Sequence, residues 1–245
     1  MAKAPVLSII VVSYNTREMT LECLRSVYAQ TTTPFELIVV DNASTDGSAE
    51  AIAAEFPDLT LMAETENHGF AKANNMAAKH CTAPYVLLLN PDTVVLDHGL
   101  DALYAFSQDK PEALIWGGRS YYADMSLNPY SCWQRITLWN LFCRATGLAG
   151  FFKHTTLFNP EAYGGWDRGD IRAVDIVTGC LFLISRENWD KLGGFDLTFV
   201  MYGEEADLCQ RARTELGADP HITPAANIIH YGGASETVRA DKVIR

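Results

Sequence analysis

The sequence predicts an α/β protein: a Rossmann-like, mostly parallel central sheet flanked by helices. Three observations predict it. Apolar runs rich in Ile, Val and Leu recur at residues 6–13, 35–40 and 85–89 without the polar alternation of a strand with one wet face. Segments of helical periodicity separate these runs. Polar clusters follow directly on the strands, at the edge where open parallel sheets bind ligands.

Residues 6–13 read as a strand buried on both faces. Asn15 with Glu18 three residues on resembles a capping box, and Met19, Leu24, Val27 and Tyr28 lie roughly on one stripe, so a helix is expected over 16–30. A strand at 35–40, a helix through 49–56 capped by Ser44 or Thr45, and a strand at 59–63 complete a βαβαβ unit. A helix at 71–79, a strand at 85–89, a helix at 98–108 and a strand at 113–116 continue the alternation. The pattern weakens over 119–172, where tryptophans mix with glycines, prolines and tyrosines over a stretch too long for a plain connection. It reads as a substrate-facing insert with helix near 138–145. Regularity returns with an apolar segment at 174–184 broken by Gly179, helices at 186–192 and 204–215, and a short strand at 227–230. No repeat or low-complexity linker divides the chain, so one domain is expected over 1–245, in two halves, 1–117 and 118–245.

With 245 residues and 48% hydrophobic content, the chain can bury one sizeable core. A formal net charge of -11 argues against nonspecific binding to nucleic acid or to an anionic membrane surface, both of which require excess Lys and Arg. The N-terminus runs into a strand pattern without the regions of a signal peptide, and no apolar run is long enough to span a bilayer. A soluble, cytoplasmic protein is expected. Its six cysteines show no Cys-x-x-Cys pair and read as buried free thiols.

The polar clusters after the strands are Ser13-Tyr14-Asn15, Asp41-Asn42-Ala43-Ser44, Asn67-His68-Gly69-Phe70 and Asn90-Pro91-Asp92-Thr93. Asp41 ends an Ile-Val-Val run, where it can accept hydrogen bonds from a base imide or a ribose hydroxyl, or form an Asx turn or cap. Asp92 stands past a strand end on the rigid Pro91 and suits a hard divalent cation that bridges phosphates; the same triplet also forms turns. Glu204, Glu205 and Asp207 open a helix, either as a charge-paired face with Arg211 or with one carboxylate as a general base. His230 ends an apolar strand before a diglycine, as a metal ligand or a structural imidazole. Trp133 and Trp166 are candidates to stack on a sugar ring, or core residues.

Taken in order, residues 8–15, 40–48, 67–71, 89–93, 193–196, 204–208 and 230–235 resemble the family 2 glycosyltransferases, most closely the bacterial rhamnosyltransferase-like branch. The resemblance implies a GT-A fold, with residues 1–117 as the nucleotide-sugar-binding half and 118–245 as the acceptor-binding and catalytic half. It implies a nucleotide-sugar site at Ser13, Tyr14, Asn15, Asp41, Asn42, Ser44, Asn67, Gly69, Phe70, Asn74, Asn90 and Asp92. It also implies a divalent metal, Mn2+ or Mg2+, on Asp92 and His230, with Asn90 where the family's Asp-x-Asp motif has its first Asp. Glu204-Glu205 stands for the usual Glu-Asp pair, which makes Glu205 the expected base. Trp133, Trp166, Gly179 and Asp207 are candidates for the acceptor side. The implied activity is metal-dependent and inverting, moving a sugar, first L-rhamnose from dTDP-rhamnose and next a UDP-linked sugar, to a glycan or lipid-linked glycan in cell-surface polysaccharide synthesis. Any contact with the inner face of a membrane is expected through parts absent from this chain.

Two rivals are a sugar nucleotidyltransferase and a catalytically degenerate glycan- or nucleotide-binding module. The first needs a glycine-rich, basic loop after the first strand, and Ser13-Tyr14-Asn15-Thr16-Arg17 has no glycine. The second rests on Glu205 replacing the family Asp. A dinucleotide-binding dehydrogenase is poorer still, because no Gly-x-Gly-x-x-Gly follows any strand.

Overall fold

The run expected at 6–13 is strand β1 (Leu7–Ser13), in which Leu7, Ile9, Ile10 and Val11 are wholly buried. At roughly 1.5–3 kcal/mol for each large aliphatic side chain taken out of water, this strand anchors the sheet. A computed structural model describes residues 3–199 and 202–232. After β1 come α1 (Arg17–Gln30), β2 (Phe35–Asp41), α2 (Ser48–Glu55), β3 (Thr60–Ala63), α3 (Gly69–Ala78), β4 (Tyr85–Leu89), β5 (Thr93–Leu96) and α4 (Gly99–Asp109). Strands β1 to β4 pair in parallel, with β1 between β2 and β4.

The rest of the chain adds β6 (Ile115–Tyr121), β7 (Leu127–Asn128), β8 (Cys132–Trp133), α5 (Leu138–Ala145), α6 (Leu148–Phe151), β9 (Arg172–Ala173), β10 (Ile176–Val177), β11 (Leu181–Ser185), α7 (Arg186–Leu192), α8 (Glu204–Leu216) and β12 (His221–His230). The main path of the ten-stranded sheet is β3-β2-β1-β4-β11-β6-β12-β5, with β7 paired to β6 and β9 to β12. Strand β11 lies antiparallel between β4 and β6, so residues 1–117 and 118–245 share one sheet. Ile10, Ile38, Leu88 and Phe182 pack on one face beneath α3, α7 and α8. Ile9, Val11, Leu37, Leu87 and Leu183 pack on the other beneath α1, α2 and α4.

Both capping expectations are corrected. Asn15 takes a left-handed backbone (φ 53°) and its side-chain carbonyl accepts the Thr45 amide at 2.8 Å, while Thr16 stands at the α1 N-cap without a side-chain capping bond. Glu18 instead makes an exposed pair with Arg17 at 3.4 Å. Helix α2 begins after Gly47, and it is Asp46, not Ser44 or Thr45, that accepts the Ser48 amide, at 3.1 Å. Asp46 also accepts the Arg17 amide at 3.0 Å, which ties the turn after β1 to the turn after β2.

The insert is anchored by Arg168, whose buried guanidinium donates to the carbonyls of Trp166, Pro129 and Ala162 at 2.6–2.8 Å. That holds the Pro129–Ser131 turn, and Tyr130 on it, against the body of the protein. All six cysteines are free and buried, as expected.

Candidate active site

The ends of β1, β4 and β12 meet the starts of β11 and α8 around a cleft of about 710 Å³. Of the candidate residues, the cleft brings together Tyr14, Asn42, Phe70, Asn90, Asp92, Trp133, Gly179, Glu204, Glu205 and His230. No Lys or Arg lines it among the described residues.

Asp92 is 1% exposed, and neither carboxylate oxygen has a hydrogen-bond partner. A buried carboxylate left this way is costly unless a cation reaches it. His230, paired in register with Thr93 across β12 and β5, places Nε2 3.4 Å from Asp92 Oδ1 and leaves Nδ1 unpartnered. Burial alone would lower the His230 pKa, but its interactions with Asp92 and the Cys180 thiol outweigh it and raise it to about 10. Tyr231 donates its amide to the Asp92 carbonyl at 3.0 Å, which fixes the two segments against each other. The motif around His230 extends to Gly233-Ala234-Ser235, which lie outside the described residues.

Glu204 and Glu205 open α8 behind Gly203, whose backbone (φ 103°) is one that other residues rarely adopt. Glu204 is 5% exposed with Oε2 unpartnered, and burial followed by the charge of Glu205 raises its pKa. Glu205 Oε1 accepts the Gly179 amide at 3.2 Å, which orients the carboxylate. A Cβ on Gly179 would stand 3.0 Å from the Phe70 ring, closer than side chains normally pack, and in ordinary contact with Glu205 Cγ at 3.5 Å, so a hydrogen at this position is what lets Phe70 pack over the backbone whose amide holds Glu205.

Other candidates lie behind or beside the cleft. Asp41 ends β2, 3% exposed, with Oδ1 unpartnered; burial raises its pKa and hydrogen bonds from Ser44 oppose the shift. Ser44 also accepts the Asn15 amide at 2.9 Å and lines a shallow depression with Arg17, Thr45 and Gly47. Asn42 donates to Asn67 Oδ1 at 2.9 Å and accepts the His68 amide, and Asn67 Oδ1 also accepts the Gly69 amide, so this trio shapes the loop below Phe70. Ser13 is locked in a buried hydroxyl cluster with Thr16 and Thr20, and Asn74 donates to the Phe70 carbonyl inside α3. Neither residue lines the cleft.

Two acceptor-side candidates lie outside the cleft lining. Trp166 is a core residue, 8% exposed, whose indole donates to Asp170 at 2.6 Å and whose ring is covered by Arg172. Asp207 is held by Arg211 at 2.7 Å, the charge-paired alternative read from the sequence. Tyr122, Asn128, Tyr130 and Tyr202 line the cleft and were not singled out as site residues. Tyr130 stacks on Trp133 at 4.9 Å between ring centres, and the aromatic richness of the insert is the one signal that pointed to it.

The donor set fits a divalent cation. Asp92 supplies unsatisfied oxygens, and His230 would supply an imidazole nitrogen once a cation displaces the proton that Asp92 favours, yet the described residues contain no cluster of three or more His, Cys, Asp or Glu able to enclose a metal by themselves. Such a half-built site suits a cation that takes its remaining ligands from phosphate oxygens and water.

The chain thus combines a mostly parallel α/β sheet with an acidic cleft at its strand ends. The chain belongs to glycosyl transferase family 2, whose model matches residues 8–173. That match stops before Glu204, Glu205 and His230. The O-antigen biosynthesis protein RfbC of Myxococcus xanthus is 28% identical over 250 residues, covering 98% of this chain; the chain spans only 18% of that protein. The N-acetylglucosaminyl-diphospho-decaprenol L-rhamnosyltransferase of Mycobacterium tuberculosis is 26% identical over 240 residues, 92% of this chain and 76% of its own length. Among solved structures, the mannosyltransferase PcManGT from Pyrobaculum calidifontis, in complex with GDP-Man and Mn2+, aligns with TM-score 0.63 at 23% identity over 97% of this chain and 60% of its own. The fold is GT-A, as the sequence predicts.

Proposed function

We propose that the chain is a metal-dependent, inverting sugar transferase acting on a nucleotide diphosphate sugar, with the whole of residues 1–245 serving one active site. The observation that carries this reading is a cleft lined by Asp92, Glu204 and Glu205 with no Lys or Arg among the described residues. A diphosphate entering it meets only negative charge and His230, so a cation is needed to hold it. Asp92 and His230 would hold that cation, which supplies charge neutralisation to the departing diphosphate.

The remaining chemistry falls to the chain's own groups. Asp41, with one buried, unpartnered oxygen, accepts a hydrogen bond from the base or ribose, and Tyr14 and Asn15 border that end. The Gly179 amide orients Glu205 so that its free oxygen takes the proton of the acceptor hydroxyl. As the acceptor's deprotonated oxygen bonds to the anomeric carbon, the bond from that carbon to the diphosphate oxygen breaks, and one displacement inverts the centre. Glu204, with its raised pKa, sits beside Glu205 as a largely buried neighbour that limits where the second negative charge can go. Tyr130 and Trp133 offer stacked faces to the acceptor sugar.

The relative named as an L-rhamnosyltransferase supports a dTDP-rhamnose donor and a lipid-linked glycan acceptor. Thermal-shift and calorimetric titration with dTDP, UDP, GDP and CMP, each with Mn2+ and with chelator, tests the reading. Stabilisation by dTDP or UDP only with Mn2+ is expected; binding by none of them would turn the reading to a degenerate module.

A further inference from the structure

The insert carries an apolar surface that the transfer chemistry does not use. Leu138 (87% exposed), Leu141 and Phe142 share one face of α5, and Phe151 (83% exposed) projects from α6. These are not loose side chains. Trp139 stacks on Phe142 and touches Phe158, Phe158 packs on Phe152, and Phe152 on Phe151, with centroids 4.8–6.3 Å apart. The Trp139 indole donates to the Leu157 carbonyl at 2.6 Å, so α5 is pinned to the segment after α6.

Charge singles out the same region. The chain carries -11 overall, yet residues 125–160 contain no Asp or Glu and hold Arg135, Arg144 and Lys153. Arg144 pairs with Glu161 at 3.0 Å; Arg135 and Lys153 are exposed beside the aromatic platform. Exposed leucines and aromatics on a short helix, flanked by the Arg135 and Lys153 side chains and with Glu161 neutralised by Arg144, are the arrangement that settles into an anionic lipid interface. The whole-chain charge argues against such a surface, and the local distribution reverses that argument for this face alone. No helix among the described residues is long and apolar enough to cross a membrane, so the contact is interfacial.

We propose that the face formed by Leu138, Leu141, Phe142, Phe151 and Phe152, with Arg135 and Lys153, docks the protein on an anionic bilayer surface. Helix α5 begins shortly after Trp133, which lines the cleft, so a short segment ties the docked face to the cleft. The inference deepens the reading of a lipid-linked acceptor given above, but its test uses neither donor, metal nor acceptor.

The test is co-sedimentation of the protein with sucrose-loaded vesicles of phosphatidylglycerol and phosphatidylethanolamine, and with vesicles of phosphatidylcholine alone. Wild type should pellet with the anionic vesicles, and salt should weaken the binding. A Leu138→Asp, Phe151→Asp double variant, altering two almost fully exposed side chains, should bind at least 10-fold more weakly while its melting temperature and nucleotide binding stay unchanged. Wild type left in the supernatant would overturn the proposal, as would a double variant that binds equally well. So would a wild-type mass in light scattering of twice the monomer that the double variant halves without vesicle binding, because the face would then join two copies. Failure of nucleotide binding with intact vesicle binding would sink the transfer reading and leave this one standing.

Discussion

His230 Nε2 lies 3.4 Å from Asp92 Oδ1, while both Asp92 oxygens lack a hydrogen-bond partner and His230 Nδ1 has none. Two polar groups brought this close in a buried place, and still unsatisfied, are poised for a shared third partner. Asp92→Asn keeps the shape and removes the charge. It should weaken Mn2+-dependent nucleotide diphosphate binding by about 100-fold or more, beyond what losing a supporting residue costs a metal site, with the fold intact by circular dichroism. Calorimetry that gives wild-type affinity for the variant would remove Asp92 from the metal assignment.

Gly179 separates Glu205 from the Phe70 ring. A methyl in Gly179→Ala stands 3.0 Å from that ring and in ordinary contact, 3.5 Å, with Glu205 Cγ, so the crowding is against Phe70, and a backbone shift that relieves it moves the amide that holds Glu205. A displacement near 1 Å at the base predicts a fall of about 100-fold in kcat with donor affinity little changed. Steady-state kinetics beside a binding titration separates the two; a drop confined to donor affinity would count against a positioning role.

The two tryptophans should part company. Trp133→Ala should raise the acceptor KM and leave the melting temperature nearly unchanged. Trp166→Ala opens a hole in the core and should cost about 3–5 kcal/mol of stability in a denaturant melt. An acceptor effect of a conservative Trp166→Phe without loss of stability would return that residue to the site.

Acid should loosen the strand-loop junction at Glu36. Burial alone would raise its pKa, but the Ser8 hydroxyl, the Thr82 amide and hydroxyl and the Ala83 amide outweigh this and hold it below the ordinary 4.5. A depressed carboxylate contributes stability that is full above its unfolded pKa and lost as pH falls through the folded value. Melting temperatures of wild type and Glu36→Gln should therefore differ most near neutral pH and converge below about pH 4. A constant gap across that window would show that the charge does not matter.

Strands β1, β2 and β4 were legible because each is a largely buried aliphatic run, and the polar residues after them fall at the cleft for the same reason. Strand β5 was not, since Thr93–Leu96 is a short antiparallel edge partner of β12 whose pairing residues lie far along the chain. Strand β6 was expected to stop at Trp116, where Gly117 and Gly118 end the apolar run. Those glycines continue the strand because a Cβ would stand 2.5 Å from Val177 Cγ1 and 2.3 Å from the Ala226 carbonyl oxygen. Strand β12 was expected only at 227–230, since Pro224 and the register shift between Ile222 and Asn227 hide its first half. Asp92, His230, Glu204 and Glu205 carried their side-chain chemistry in the sequence. That Gly179 would orient Glu205, and that Trp166 would be buried, depended on packing between distant segments.

The most direct measurement is release of nucleotide diphosphate from dTDP-rhamnose and UDP-linked sugars in the presence of Mn2+ and a glycan acceptor, for wild type and Glu205→Gln. The account predicts turnover by wild type that chelation abolishes and that the variant lowers by about 100- to 10,000-fold, the range expected for loss of a general base, with donor binding retained. Wild-type turnover that ignores chelation, or a Glu205→Gln variant as fast as wild type, would contradict it.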